Sequence, residues 1–238
     1  MIKKLIAIFI LFYSFQMPTL ADEASVKKAF VAKFPGANVT SVTRVPFKGL
    51  YEVYVEDQIV YTDDTVSYLL AGSLINATTK QNLTSARMQK LTAVNFDSLP
   101  LQSAIKVVRG NGKRKIAVFS DPDCPYCKKL EEDLQHVNNI TVYTFLYPIE
   151  GLHAGATEKA KAVWCAPDRV KAWDDLMLSG IAPKSGANCE TPVPAIVALG
   201  QKLKISGTPT MIFADGQRVS GAVPASQIEK ILEMSAGK

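Results

Sequence analysis

Cys124-Pro125-Tyr126-Cys127 sets two thiols at the expected start of a helix, directly after the apolar run Ile116-Ala117-Val118-Phe119. Two intervening residues bring both sulfurs within bonding reach across the first helical turn, so the pair can open and close without moving the rest of a fold. A cysteine at a helix start lies beside unpaired backbone N–H groups and the positive end of the helix dipole, and both favour thiolate over thiol. Cys124 is therefore expected to be the nucleophile. Cys127, one turn further in, is expected to be the shielded resolving thiol that releases a trapped mixed disulfide. Pro125 suits the first helical position, where its missing N–H would have had no helical partner. A static disulfide and half of a zinc site are the competing uses of such a pair. The strand-to-helix junction argues against the first. The wide separation of Cys165 and Cys189 is unlike the close-paired ligands the second would need. No metal and no cofactor are expected.

Gly207-Thr208-Pro209-Thr210 stands ahead of the apolar run 211–214. A proline there cannot donate to a sheet, and a cis bond would turn the Thr208 backbone toward the thiols. We expect Thr208-Pro209 to be cis and to pair with substrate beside Cys124, with Tyr126 also on the substrate-binding surface. Cys165 and Cys189 are read as a structural disulfide, worth about 3 kcal/mol in the chain-entropy picture. A second redox pair is the alternative, although no short motif or helix start activates either sulfur. Asp121 and Asp123 flank the nucleophile. Helix capping, above all by Asp123, is favoured over proton transfer. His136 and His153 are read as surface residues.

The elements that hold these residues follow from periodicity. Residues 23–34 fit a short amphipathic helix stopped by Pro35-Gly36. Strands are expected at 39–45, 50–55, 59–62 and 66–70, with turns at Lys48-Gly49, Glu56-Asp57 and Asp63-Asp64. So small a module has little interior of its own and is often completed by a partner subunit. Residues 85–95, free of Gly and Pro, read as a linking helix. Beyond them strands (104–108, 116–120, 140–146) and helices (157–166, 169–178, 194–203) precede a hairpin over 211–223 and a last helix at 226–234. That order is the one of a thioredoxin fold with a helical insertion.

Residues 1–21 combine Lys3 and Lys4, an apolar stretch over 5–15 and the ending Thr19-Leu20-Ala21, the layout of a cleaved secretory signal. Its apolar run is shorter than the ~20 residues that span a bilayer. Removing 21 of 238 residues leaves 217, and losing the two lysines takes 27 basic against 22 acidic residues to 25 against 22, a net +3. That excess is too small to argue for nucleic acid. An even count of four cysteines in an exported chain suggests two disulfides, for which sequence allows three pairings.

Phe119-Ser-Asp-Pro-Asp-Cys-Pro-Tyr-Cys-Lys-Lys-Leu130, Lys161-Ala-Val-Trp-Cys-Ala166, Lys171-Ala-Trp-Asp-Asp175 and Ser206-Gly-Thr-Pro-Thr210, in that order, resemble the periplasmic disulfide isomerases of the DsbC/DsbG family. The resemblance covers nearly the whole chain beyond residue 21 and is looser at Tyr61-Thr-Asp-Asp64. It implies an α+β protein: signal 1–21, a small cystatin-like dimerisation domain over 22–82, a linker helix over 83–100 and a thioredoxin-like catalytic domain over 101–238. It implies Cys124 as attacking thiol, Cys127 as resolving thiol, Thr208-Pro209 as the substrate-facing bond and Cys165 with Cys189 as the structural bridge. It also implies a periplasmic homodimer joined through the N-terminal domains. Misfolded disulfide-containing exported proteins would be its substrates, and a DsbD-type membrane protein its reductant. DsbC-type members typically carry Gly-Tyr between the active cysteines, whereas this chain carries Pro-Tyr as DsbG does. The stretch 161–175 is closer to DsbC. Isomerase activity, with a chaperone function beside it, is the expectation. The alternatives are a DsbG-like reductase of single oxidised cysteines and a non-enzymatic holdase.

Overall fold

The computed structural model describes residues 22–47, 49–183 and 189–236. The expected signal (1–21), Lys48 of the expected Lys48-Gly49 turn and residues 184–188 before Cys189 lie outside the described residues. The chain divides into two compact units between Met88 and Gln89.

The first unit opens with α1 (Glu23–Lys33), whose first turn is capped by the Asp22 carboxylate accepting the Ser25 N–H at 2.7 Å. Strands β1 (Val39–Arg44), β2 (Tyr51–Val55), β3 (Gln58–Thr62) and β4 (Leu69–Ala71) follow in one antiparallel sheet, in sequence order. Val26 and Phe30 of α1 bury against Val39, Val42, Tyr51 and Val53. Glu56 and Asp57 both take positive φ, the conformation a tight two-residue hairpin requires. The fourth strand starts later than the expected residue 66. Asp63 Oδ1 accepts the N–H groups of Ser67 and Tyr68, and Val66 is left-handed, so these residues belong to a side-chain-built turn.

Helix α2 (Leu83–Leu91) runs across the division between the units and is shorter than the expected linker helix over 83–100. Residues 92–100 leave helical geometry except for a single 3₁₀ turn, Phe96–Ser98. The reason is burial: Val94 and Phe96 pack with Ala117, Phe119 and Ile212 of the second unit, and the Val94 N–H donates to Gly216 O at 3.0 Å. Those bonds replace the ones a continued helix would make.

In the second unit β5 (Ile105–Arg109), β6 (Arg114–Ser120), α3 (Pro125–Leu134), β7 (Ile140–Leu146), α4 (Ala156–Cys165), α5 (Arg169–Ser179), α6 (Val193–Lys202), β8 (Thr210–Phe213), β9 (Arg218–Ser220) and α7 (Ala225–Ala236) follow in order. The sheet runs β5-β7-β6-β8-β9, with β6 and β7 parallel and the other neighbours antiparallel. Every residue of β7 is buried, as befits a strand covered on both faces. The α+β class and the strand-helix order are those expected, and α4 to α6 form the helical insertion between β7 and β8. Among the described residues no helix is long and apolar enough to cross a membrane.

Candidate active site

Strand β6 is almost wholly buried and ends at Ser120, so the chain leaves the sheet at a fixed point and turns at once into α3. Cys124 stands at the N-cap in extended geometry and Pro125 occupies the first helical turn. The Cys124 carbonyl accepts from Cys127 N–H at 3.0 Å and Lys128 N–H at 3.2 Å. Its thiol lies at the mouth of the helix, where backbone N–H groups and the helix dipole favour the anion.

The Thr208–Pro209 bond is cis, as expected. It brings the Thr208 carbonyl to 3.3 Å from Cys124 Sγ, where it accepts the thiol proton. Two segments 84 residues apart in sequence thus meet at one sulfur. Both sulfurs are free thiols, Cys124 4% exposed and Cys127 fully buried, whereas Tyr126 between them is 66% exposed. Burial pushes the Cys127 thiol up to about 12. The Ser120 hydroxyl, the Asp121 N–H and Thr208 work the other way, and a charge on Cys124 raises it further. The asymmetry is one of place: Cys124 stands at the helix mouth, while Cys127 is buried and holds its proton.

Around the pair the structure differs from expectation in three places. Asp123 does not cap α3, because no side chain caps that helix; its Oδ1 instead meets Lys159 Nζ at 2.6 Å. Asp121 is completely buried, and its carboxylate accepts the Asp123 N–H at 2.8 Å and the Ile149 N–H at 2.6 Å. Its own N–H donates to Cys127 Sγ at 3.4 Å, so it ties the cysteine loop to the segment after β7. His153 is not a free surface residue: Nδ1 stands 3.1 Å from Asp121 Oδ2, an ion pair when the imidazole is protonated.

Lys159 and Glu131 escaped the sequence reading altogether. Glu131 lies in α3 one turn beyond Cys127, is buried, and accepts from Trp173 Nε1 of α5 at 2.8 Å. Burial pushes its carboxyl up to about 7, opposed by the Trp173 hydrogen bond and the Arg109 charge and reinforced by Asp174. Cys165 and Cys189 are bonded to each other across a separation of 24 residues, which fixes the end of α4. Among the described residues no group of three or more His, Cys, Asp or Glu is arranged to hold a metal ion.

Residues 101–236 match the family model of a thioredoxin-like domain, and residues 17–85 match that of a disulfide bond isomerase protein N-terminal domain. A probable thiol:disulfide interchange protein DsbC of Bordetella parapertussis is 46% identical over 205 residues, 86% of this chain and 72% of that one. The thiol:disulfide interchange protein DsbC of Escherichia coli K12 is 30% identical over 246 residues, covering 99% and 100% of the two chains. Among solved structures, a disulfide interchange protein from Neisseria gonorrhoeae is 48% identical and superposes with a TM-score of 0.56 over 58% of this chain and 98% of its own.

Proposed function

The chain belongs to the DsbC family of thiol:disulfide interchange proteins, and from that premise we propose that it is a periplasmic isomerase in which Cys124 attacks incorrect disulfides of exported proteins. The observation that carries the assignment of roles is the contrast between two thiols on one turn. Cys124 sits at a helix mouth against the Thr208 carbonyl, and Cys127 is buried and pushed up to about 12.

The reaction runs as follows. The Cys124 thiolate attacks one sulfur of a substrate disulfide, forms a mixed disulfide and expels the other substrate sulfur as a thiolate that takes up a proton. Cys124 no longer carries charge in that adduct, which removes one of the influences holding the Cys127 proton. If a different substrate thiolate then attacks the substrate sulfur of the mixed disulfide, a new substrate disulfide forms, the Cys124–substrate bond breaks and Cys124 leaves as thiolate, so the bonds are reshuffled with no net electron transfer. If Cys127 loses its proton and attacks Cys124 Sγ, the substrate leaves reduced and a Cys124–Cys127 disulfide remains, which a dithiol of DsbD type must reduce. Thr208, Pro209 and Tyr126 form the substrate-facing surface in this reading, and Cys165–Cys189 the structural bridge.

Residues 1–21 serve as the export signal, 22–82 as the dimerisation domain, 83–100 as the linker and 101–238 as the catalytic domain. A homodimer is supported by β4, an edge strand whose three residues are all exposed and are preceded by the exposed Tyr68. Such an edge is a template for pairing with a second chain.

One set of measurements tests the assignment. The purified protein should sediment as a dimer and reactivate a scrambled disulfide substrate, and trapping in cells should find Cys124 and Cys127 predominantly as thiols. A pair held oxidised would mark an oxidant instead. Activity on sulfenic acids alone would mark a single-thiol reductase. Protection from aggregation that survives loss of both cysteines, without turnover, would mark a holdase.

A further inference from the structure

Cys124 has a carboxylate on its immediate neighbour, Asp123, and an anion there opposes the thiolate the reaction needs. The other aspartate of the loop, Asp121, is satisfied internally by the Asp123 and Ile149 N–H groups and faces His153. For Asp123 the counter-charge comes from 36 residues away: Lys159 Nζ of α4 lies 2.6 Å from its Oδ1. We propose that Lys159 is a positioning residue for disulfide exchange, whose ammonium neutralises Asp123 and so keeps Cys124 nucleophilic.

Helix α4 is built to deliver that charge. Gly155, left-handed at φ +84°, starts the helix, and its carbonyl accepts the Lys159 N–H at 3.2 Å. The Glu150 carboxylate accepts the N–H groups of Gly155 and Thr157 at 2.7 and 3.0 Å, which pins the first turn. The Cys165–Cys189 bond pins the last. Two residues along the same helix, Lys161 turns back to Glu158 at 2.7 Å, an ordinary pair on an exposed face. Lys159 alone of these two reaches across to the cysteine loop. The Asp123 side chain is only 20% exposed, so water screens it less than it would a surface carboxylate.

This inference rests on Cys124 being the attacking thiol, and its test separates the two. In a Cys127→Ala background, with Cys165 and Cys189 bonded, Cys124 is the remaining thiol and its alkylation by iodoacetamide at pH 7 reports its thiolate. Lys159→Gln should slow alkylation by about three- to tenfold at low salt. The deficit should shrink at 1 M salt, where the Debye length is about 3 Å. Lys159→Arg should keep the rate, and Asp123→Asn in the Lys159→Gln protein should restore it. If Lys159 only staples α4 to the loop, the double variant stays as slow as Lys159→Gln and salt changes nothing; that outcome overturns the proposal. An unchanged rate in Lys159→Gln beside a fast-reacting parent overturns it while leaving the role of Cys124 intact. A parent Cys124 no faster than the thiol of the unfolded chain overturns both.

Discussion

Replacing Cys124 by alanine should reduce reactivation of a scrambled substrate to the rate supplied by the thiol buffer alone, while replacing Cys127 should leave a protein that attacks substrate and stays bound to it. The two outcomes differ because the two sulfurs differ. Cys124 is the thiol at the helix mouth, and without it the buried Cys127 remains, held protonated far above neutral pH by its surroundings. A thiol in that state is a poor attacking group, since thiolate is the reactive form. With Cys127 gone, Cys124 still forms the mixed disulfide, but the intramolecular attack that clears stalled adducts is lost. Non-reducing electrophoresis should then show a covalent substrate adduct in Cys127→Ala that is scarce in the parent and absent from Cys124→Ala. Full reactivation by Cys124→Ala would refute the assignment, and an adduct-free Cys127→Ala would remove Cys127 from the escape step.

Much of this site is written locally. The apolar run 116–119, the Cys-x-x-Cys beyond it and the proline before β8 are each recognisable within a few residues, because strand burial, helix initiation and sheet entry are short-range events. What surrounds the sulfurs is not local. Glu131 stands in Lys-Lys-Leu-Glu-Glu-Asp, which reads as the solvated face of an amphipathic helix; only the packing of α5 turns it inward onto Trp173, 42 residues later. Asp123 carries the signature of a helix cap, and its partner is chosen by how α4 lies over the loop. The linker helix is present but ends at Leu91 for a related reason. Residues 92–95 contain no breaker, yet the cavity awaiting Val94 and Phe96 decides against continuing the helix. Side-chain partners across elements are the part of a fold that periodicity does not encode.

Glu131→Gln should stabilise the catalytic unit at pH 8 by about 3 kcal/mol and abolish most of its loss of stability between about pH 4.5 and 7. The buried carboxyl is pushed up to about 7 in the folded protein from an ordinary 4.5. Between those values the folded state binds a proton that the unfolded state has released, so stability falls as pH rises. The contribution is complete below about pH 4.5 and gone once pH passes about 7. Above that point the folded protein carries a charge that burial penalises. Arg109 offsets it in part, Asp174 aggravates it, and the Trp173 N–H supplies its hydrogen bond. Glutamine keeps a carbonyl for Trp173 Nε1 and carries no charge at any pH. Both tryptophans of the chain, Trp164 and Trp173, pack in the cluster that also contains Cys124 and Cys127. Urea unfolding followed by their fluorescence therefore reports on this region. If the parent protein shows no such slope, or the glutamine variant follows the parent across the window, the carboxyl is not neutral in the fold. If the slope disappears only in the variant, ionisation of Glu131 is what loosens the cysteine-bearing helix from α5 as pH rises.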